Sequence, residues 1–195
     1  MKRAGVFALI FLAAGAAAAT AGGHHSAAPN ASRCGGQLWR LKTFSDKQRR
    51  RVDLTPVQTT IAAIRERKGP GRTPTRRTTK FQLHVWEVPA QVTSFKLDPT
   101  GALRLQLYDD PAYINAVIPS PNCLSAKTRD RGEILDAWRF FTGKCGKGTP
   151  DWQSLGAIFL VRGLGFWSQK TAVRGTAPHG AELHPVTGFR VVVRC

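Results

Sequence analysis

Glu182 and His184 stand two residues apart in the run ELHPV, so on an extended strand they share one face, with His179 just upstream. A carboxylate beside an imidazole can pass a proton or hold two corners of a metal site, and a metal-assisted hydrolase is therefore one alternative. Spacing fixes no third acidic partner, and charged residues at a strand end more often sit in solvent or close a turn. Asp109 and Asp110 are paired carboxylates as well, but they precede Pro111 in what reads as a turn. The serine elbow, the phosphate-binding loop, the dinucleotide fingerprint and H-E-x-x-H are all absent. The expectation is a binding protein rather than an enzyme, with Glu182 and His184 the catalytic candidates if there are any.

A different donor set depends on processing. Met1 to Arg3 is a basic start, residues 4–19 are apolar and small, and Ala19 and Ala21 fit the −3 and −1 positions of a cleaved signal peptide spanning residues 1–21. No comparable apolar run follows, so no retained membrane span is expected, and the destination is the periplasm, the envelope or the medium. Cleavage after Ala21 would leave Gly22, Gly23 and His24 at the new terminus. An amine, two amides and an imidazole suit square-planar Cu(II) or Ni(II), and no other cofactor is called for.

In an exported chain Cys34, Cys123, Cys145 and Cys195 are expected to form two disulfides. Of the three connectivities, Cys123 with Cys145 is favoured because the two bracket one predicted helix, which leaves Cys34 for Cys195. There is no C-x-x-C step, which argues against a zinc knot.

Charge is the strongest compositional signal. The 195 residues hold 29 Lys and Arg against 12 Asp and Glu, a net of +17, while 42% hydrophobic content is ample for a core. Residues 33–80 carry 14 of those cations against Asp46, Asp53 and Glu66, a net of +11. The clusters are Lys47, Arg49, Arg50 and Arg51; then Arg65, Arg67 and Lys68; then Arg72, Arg76, Arg77 and Lys80. That density exceeds what solubility requires, and it points to a polyanion partner such as nucleic acid or an anionic envelope polymer. A structural or stress-related envelope protein with no polyanion ligand is the other alternative.

The elements that must position these groups follow from periodicity. Residues 22–80 read as a basic arm, flexible at 22–33 and 69–79, with a short helix that Thr59 or Thr60 caps and in which Ile61 and Ile64 share a face. From Phe81 the period changes to two: Trp86, Val88, Ala90 and Val92 alternate, then Leu103, Leu105 and Leu107, with a turn at Asp98 to Gly101 between them. A third strand covers 113–118, a helix spans about 129–142, and two strands cover 157–167 and 182–193. The fold class is mostly β. Three meandering strands, a helix, then two strands is the order of a five-stranded OB-like barrel, assigned to residues 81–195. Gly163 and Gly165 would permit a sharp bend in its fourth strand. Arg104 and Tyr108 fall on the polar face of the second strand and join the polyanion-binding candidates, with Tyr113 a further aromatic to watch, while Trp86, Phe95, Phe166 and Trp167 are expected in the core.

The runs IPSPNC (118–123), GLGFW (163–167), TAPHG (176–180), ELHPV (182–186) and TPVQTTI (55–61) resemble motifs of a family of small exported bacterial proteins, largely uncharacterised, with an OB-like barrel. The resemblance spans most of residues 22–195 and implies export and a barrel, but no reaction. Val117 stands where the family's pattern has an acidic residue before IP, and Ser168 where an Asp often follows the aromatic pair, so neither position carries an acidic role across.

Overall fold

The computed structural model describes residues 34, 36, 38–169, 171 and 174–195. The expected signal peptide and the Gly22, Gly23 and His24 donor set lie outside the described residues.

Seven strands form one sheet: β1 (Asp53–Gln58), β2 (His84–Leu97), β3 (Leu103–Asp109), β4 (Ala112–Ile118), β5 (Gln153–Ser154), β6 (Ile158–Trp167) and β7 (Ala181–Val193). Their order is β1-β2-β3-β4-β7-β6, with β5 added on β2. β2 is long enough to pair with β3 through residues 91–97 and with β6 through residues 85–91, so the hydrogen-bonded path that leaves β2 through β3 returns to it through β6. Only β1 with β2 and β4 with β7 run parallel. Among the described residues three α-helices accompany the sheet: α1 (Trp39–Lys42), α2 (Ile61–Arg65) and α3 (Arg131–Lys144). The last lies between β4 and β5 and packs against β7 and β4. Among the described residues, no helix is long and apolar enough to cross a membrane.

The period-two pattern accounts for the core. Leu103, Leu105 and Leu107 are fully buried, as are Val88, Val92, Ile114 and Ile118, and Ile134 and Phe141 of α3 close over them. The expected arm joins that core. Thr60 caps α2, its side chain accepting from Ala63 N at 3.1 Å, and Ile61 and Ile64 are fully buried beside Phe44 and Val52 in the same cluster as the strands. Each such apolar side chain stabilises the fold by about 1.5–3 kcal/mol, so this segment is part of the folded body.

The cysteines pair as Cys34 with Cys123 and Cys145 with Cys195, which corrects the expected connectivity. The bracketing helix is the reason. Its 14 residues carry Cys145 roughly 21 Å from the helix start at 1.5 Å per residue, so residues 124–130 would have to run back along the whole helix to bring Cys123 within the 4.4–6.8 Å that a disulfide spans between Cα atoms. Cys123 instead meets the N-terminal segment, and Cys145 at the end of α3 meets the end of β7. Constraining the unfolded chain over separations of 89 and 50 residues contributes about 4 kcal/mol each in the chain-entropy model.

The register of β6 with β7 shifts at Gly163 and again between Gly163 and Gly165, and Gly165 also serves a close approach. A Cβ built there would stand 2.0 Å from the Phe81 carbonyl oxygen, the same oxygen that accepts the Trp86 indole N–H at 2.8 Å. Because backbone is in the way, rotation of a side chain gives no relief, and Gly165→Ala is expected to cost about 3 kcal/mol or more. Gly156→Ala, whose nearest neighbour would be Gln91 Nε2 at 3.8 Å, is expected to stay within about 0.5 kcal/mol of the parent. Urea denaturation of the two variants tests this, and equal midpoints would refute the close-approach explanation.

Candidate functional site

A basic part of the surface is built around a buried arginine. α1 is a single turn that buries Leu41, and the chain reverses after it with Phe44 at φ 55°. Arg77, with a fully covered side chain, closes that reversal: Nε donates to Asp46 Oδ2 at 3.0 Å, Nη2 to the Leu41 carbonyl at 2.8 Å and Nη1 to the Gln82 carbonyl at 3.3 Å. Its guanidinium also lies 5.0 Å from the Phe44 ring centre. From the other side, Arg129 Nη1 donates to the Arg49 and Val52 carbonyls and anchors the turn Arg49–Arg51.

Two grooves flank Trp39 on this scaffold. One, of about 500 Å³, is lined by Trp39, Arg40, Lys47 and Arg76; the other, of about 770 Å³, by Trp39, Arg40, Lys47, Arg49 and Lys127. Asp46 is the one carboxylate among their lining residues, and it is 5% exposed and bound to Arg77. Its charge is spent internally.

A third cavity, of about 440 Å³, shares Leu38 with the first groove and is lined by Lys42, Lys96, Arg104, Asn115, Phe166 and Glu182, among others. Strand register builds it: Glu182 on β7 lies opposite Asn115 on β4 and Phe166 on β6, while Arg104 on β3 lies opposite Lys96 on β2. Arg104 Nη1 is 3.5 Å from Glu182 Oε2, and His184 Nδ1 is 3.2 Å from Glu182 Oε1. The pair expected from the sequence is therefore real, but it is buried and shared with Arg104. Among the described residues no group of three His, Cys, Asp or Glu is placed to hold a metal. His179 is exposed in the turn before β7, its Cβ close to Gly69.

No family model and no curated protein matches this chain. Among solved structures, it is similar to a provisionally assigned aspartyl-tRNA synthetase from Leishmania major Friedlin, at 10% identity and a TM-score of 0.43, over 72% of this chain and 21% of that one. The chain thus spans about a fifth of that protein's length.

The remaining expected residues divide sharply. Lys47, Arg50, Arg51, Lys68, Arg72, Arg76 and Lys80 are exposed. Arg65 donates to the Tyr113 carbonyl at 2.6 Å, and the Arg67 guanidinium lies 4.2 Å from the Trp86 ring centre, so both are partly absorbed by the fold. Arg77, expected on the charged surface, is interior. Arg104 and Tyr108 were expected on one polar face, but Arg104 lines the third cavity, whereas Tyr108 pairs with Tyr113 at 4.6 Å between ring centres and donates to Asp110 at 2.8 Å. That hydrogen bond and burial push the Tyr108 hydroxyl above its ordinary value. Gln106 between them is buried, accepting from Ser94 and donating to the Arg174 carbonyl. Trp86, Phe95, Phe166 and Trp167 are in the core as expected.

The Glu182 and His184 pair sets an acid limit. Burial opposes the Glu182 carboxylate most strongly, but the His184 hydrogen bond and the Arg104 and Lys42 charges outweigh it, holding the carboxyl below its ordinary 4.5. Burial dominates at His184 and pushes it below 6.5, with Glu182 offsetting only part. Near neutrality the pair is a carboxylate and a neutral imidazole. Both groups bind fewer protons folded than unfolded, so their contribution is complete above about pH 6.5 and is lost on acidification, first through His184 and then through Glu182. The melting temperature is expected to fall from pH 6.5 to 5, and His184→Gln should remove that upper limb; an unchanged limb in the variant would show that other groups set it.

Proposed function

We propose that the protein is an exported, non-enzymatic binder of polyanions, nucleic acid or an anionic envelope polymer, in which a five-stranded OB-like barrel carries a basic face centred on Trp39. The returning path β2-β3-β4-β7-β6, with α3 after the third of these strands in chain order, supports the barrel. The apolar N-terminal run and the two disulfides support export to an oxidising compartment. The observation that carries the binding reading is the pair of grooves sharing Trp39, Arg40 and Lys47, where the one lining carboxylate is neutralised by Arg77.

An indole between cations suits a strand whose bases can stack while its phosphates are neutralised. The hydrolase alternative lacks a third ligand among the described residues. The test is fluorescence anisotropy with labelled single-stranded DNA, duplex DNA and an anionic polysaccharide at low salt. Trp39→Ala should weaken single-stranded DNA by about 5-fold to 100-fold, the range for losing one base stack, and should leave the polysaccharide nearly unchanged. Absence of binding to all three would overturn this reading in favour of a structural envelope role.

A further inference from the structure

We propose that the cavity between α1, β2, β3, β4 and β7 is a discrete site for a phosphomonoester that also carries an N–H or O–H donor, distinct from the grooves around Trp39. The inference goes beyond polyanion binding, because it concerns a compact dianion rather than a polymer backbone.

Three observations converge on it. Lys96 and Arg104 are directly opposed across β2 and β3, an arrangement of like charges that costs stability unless something negative lies nearby. Of these two cations Glu182 pairs only with Arg104, and its other oxygen is held by His184. Lys42 lines the same cavity and has no ion-pair partner among the described residues, and the Lys96 ammonium has only the Trp152 ring, 4.9 Å from its centre. The other lining carboxylate, Asp98, spends Oδ1 on its own turn, accepting from Thr100 N at 2.8 Å, Thr100 Oγ1 at 2.6 Å and Ala102 N at 3.1 Å. Among the described residues neither lysine thus has a carboxylate within ion-pair distance, although the Lys42 charge also acts on Glu182 from further away.

The third observation is Asn115. It is 3% exposed, lines the cavity, and its Oδ1 has no hydrogen-bond partner. A buried acceptor left unpaired costs about 1–3 kcal/mol, and a fully deprotonated anion does not cure it, because it brings only acceptors. A ligand that pairs a phosphate with a neighbouring hydroxyl or amine satisfies both demands. The cavity, at about 440 Å³, is within the 300–1,000 Å³ range of small-molecule sites. A terminal nucleotide of a strand and a free mononucleotide share this chemistry.

The experiment distinguishes them. Full-length protein purified after export is titrated with 5′-phosphorylated and 5′-hydroxyl versions of one short single-stranded DNA, with AMP, and with sulfate, at constant ionic strength. The 5′-phosphate strand should bind about tenfold tighter than its hydroxyl twin, the effect of hydrogen bonds to a charged group. AMP should raise the melting temperature more than sulfate does, because sulfate is fully deprotonated and only AMP brings a donor to Asn115. Lys42→Ala with Lys96→Ala should abolish both the tenfold ratio and the AMP shift, while the hydroxyl strand still binds through the Trp39 grooves. Without ligand, Lys96→Ala alone should melt no lower than the parent, since it removes the charge opposed to Arg104.

AMP binding that the double variant loses, with the hydroxyl strand bound equally by both proteins, assigns a free mononucleotide if the strand ends show no preference, and a strand end if they do. A phosphate preference or AMP shift that survives in the double variant overturns the site, as does the absence of both in the parent. Loss of all strand binding with AMP binding intact would instead sink the polyanion reading and leave this site standing.

Discussion

Arg77→Ala is expected to destabilise the protein by about 3–5 kcal/mol, the cost of leaving a buried partner uncompensated. That is a large part of the 5–15 kcal/mol by which a domain is normally stable. Truncation leaves the Asp46 carboxylate covered and without its cation, and it takes the donor from the Leu41 and Gln82 carbonyls at once. Arg77→Lys keeps the charge but not the planar fork that reaches three acceptors, so it should fall between. Its neighbour Arg76 is exposed, and Arg76→Ala is expected to change stability by no more than about 0.5 kcal/mol. For a chain of this length, 1 kcal/mol is about 2–4 °C in melting temperature, so the two alanine variants should differ by about 6 °C or more. Equal melting temperatures would refute the pinning role. Asp46→Asn combined with Arg77→Ala should cost less than the sum of the two single changes, because the carboxylate that Arg77 neutralises is then gone.

Elements with a one-sided apolar period were legible before any coordinates. Leu103, Leu105 and Leu107 gave β3, the Ile61 and Ile64 face gave α2, and Thr60 caps it as its residue type implies. β1 was not legible, because DLTPVQ is mostly exposed, contains Pro56, and gains its place only by parallel pairing with β2. α1 is too short to show a period, and its Leu38 and nearby Phe44 take positive φ, which neither residue type advertises. The connectivity error has the same root: proximity along the chain suggested Cys123 with Cys145, whereas the rigid length of α3 separates them.

The site was legible as composition and hidden as geometry. Eleven arm cations stood out by charge alone, yet nothing local tells Arg76, in solvent, from Arg77, in the interior; that difference comes from Asp46 and Leu41, more than thirty residues earlier. Lys96 and Lys127 were missed because each is isolated in sequence, and Trp39, Arg40 and Lys42 because four residues are too few to show a face; all five become part of a surface only where chain segments meet. Asn115 did leave a signal. It is the single amide inside AYINAVI, a strand otherwise fit for the core, and a polar residue there demands a partner.

Polyanion affinity is expected to collapse with salt. If six phosphates are neutralised, log affinity falls against log salt with a slope near −5 on duplex DNA and near −4 on a single strand, since each contact contributes about −0.9 or −0.7. Between 50 and 200 mM salt the duplex affinity should then drop by about 10³. Removing residues 33–80 would not be an informative comparison, because Phe44, Ile61 and Ile64 belong to the common core and the truncated chain would lose its packing. Point variants read the map instead. Arg50→Ala with Arg51→Ala removes two exposed cations and should flatten the duplex slope by about two contacts' worth, or 1.8. Arg49 holds the Asp46 carbonyl at 3.0 Å through Nη1, so adding Arg49→Ala should flatten it by less than one contact more. Arg67→Ala should leave the slope unchanged and lower stability, since its guanidinium lies over Trp86 and Phe81 rather than in solvent. A parent slope near zero, or an Arg67 variant that flattens it as much as the Arg50 and Arg51 pair does, would mean that binding does not run through the exposed cations around Trp39.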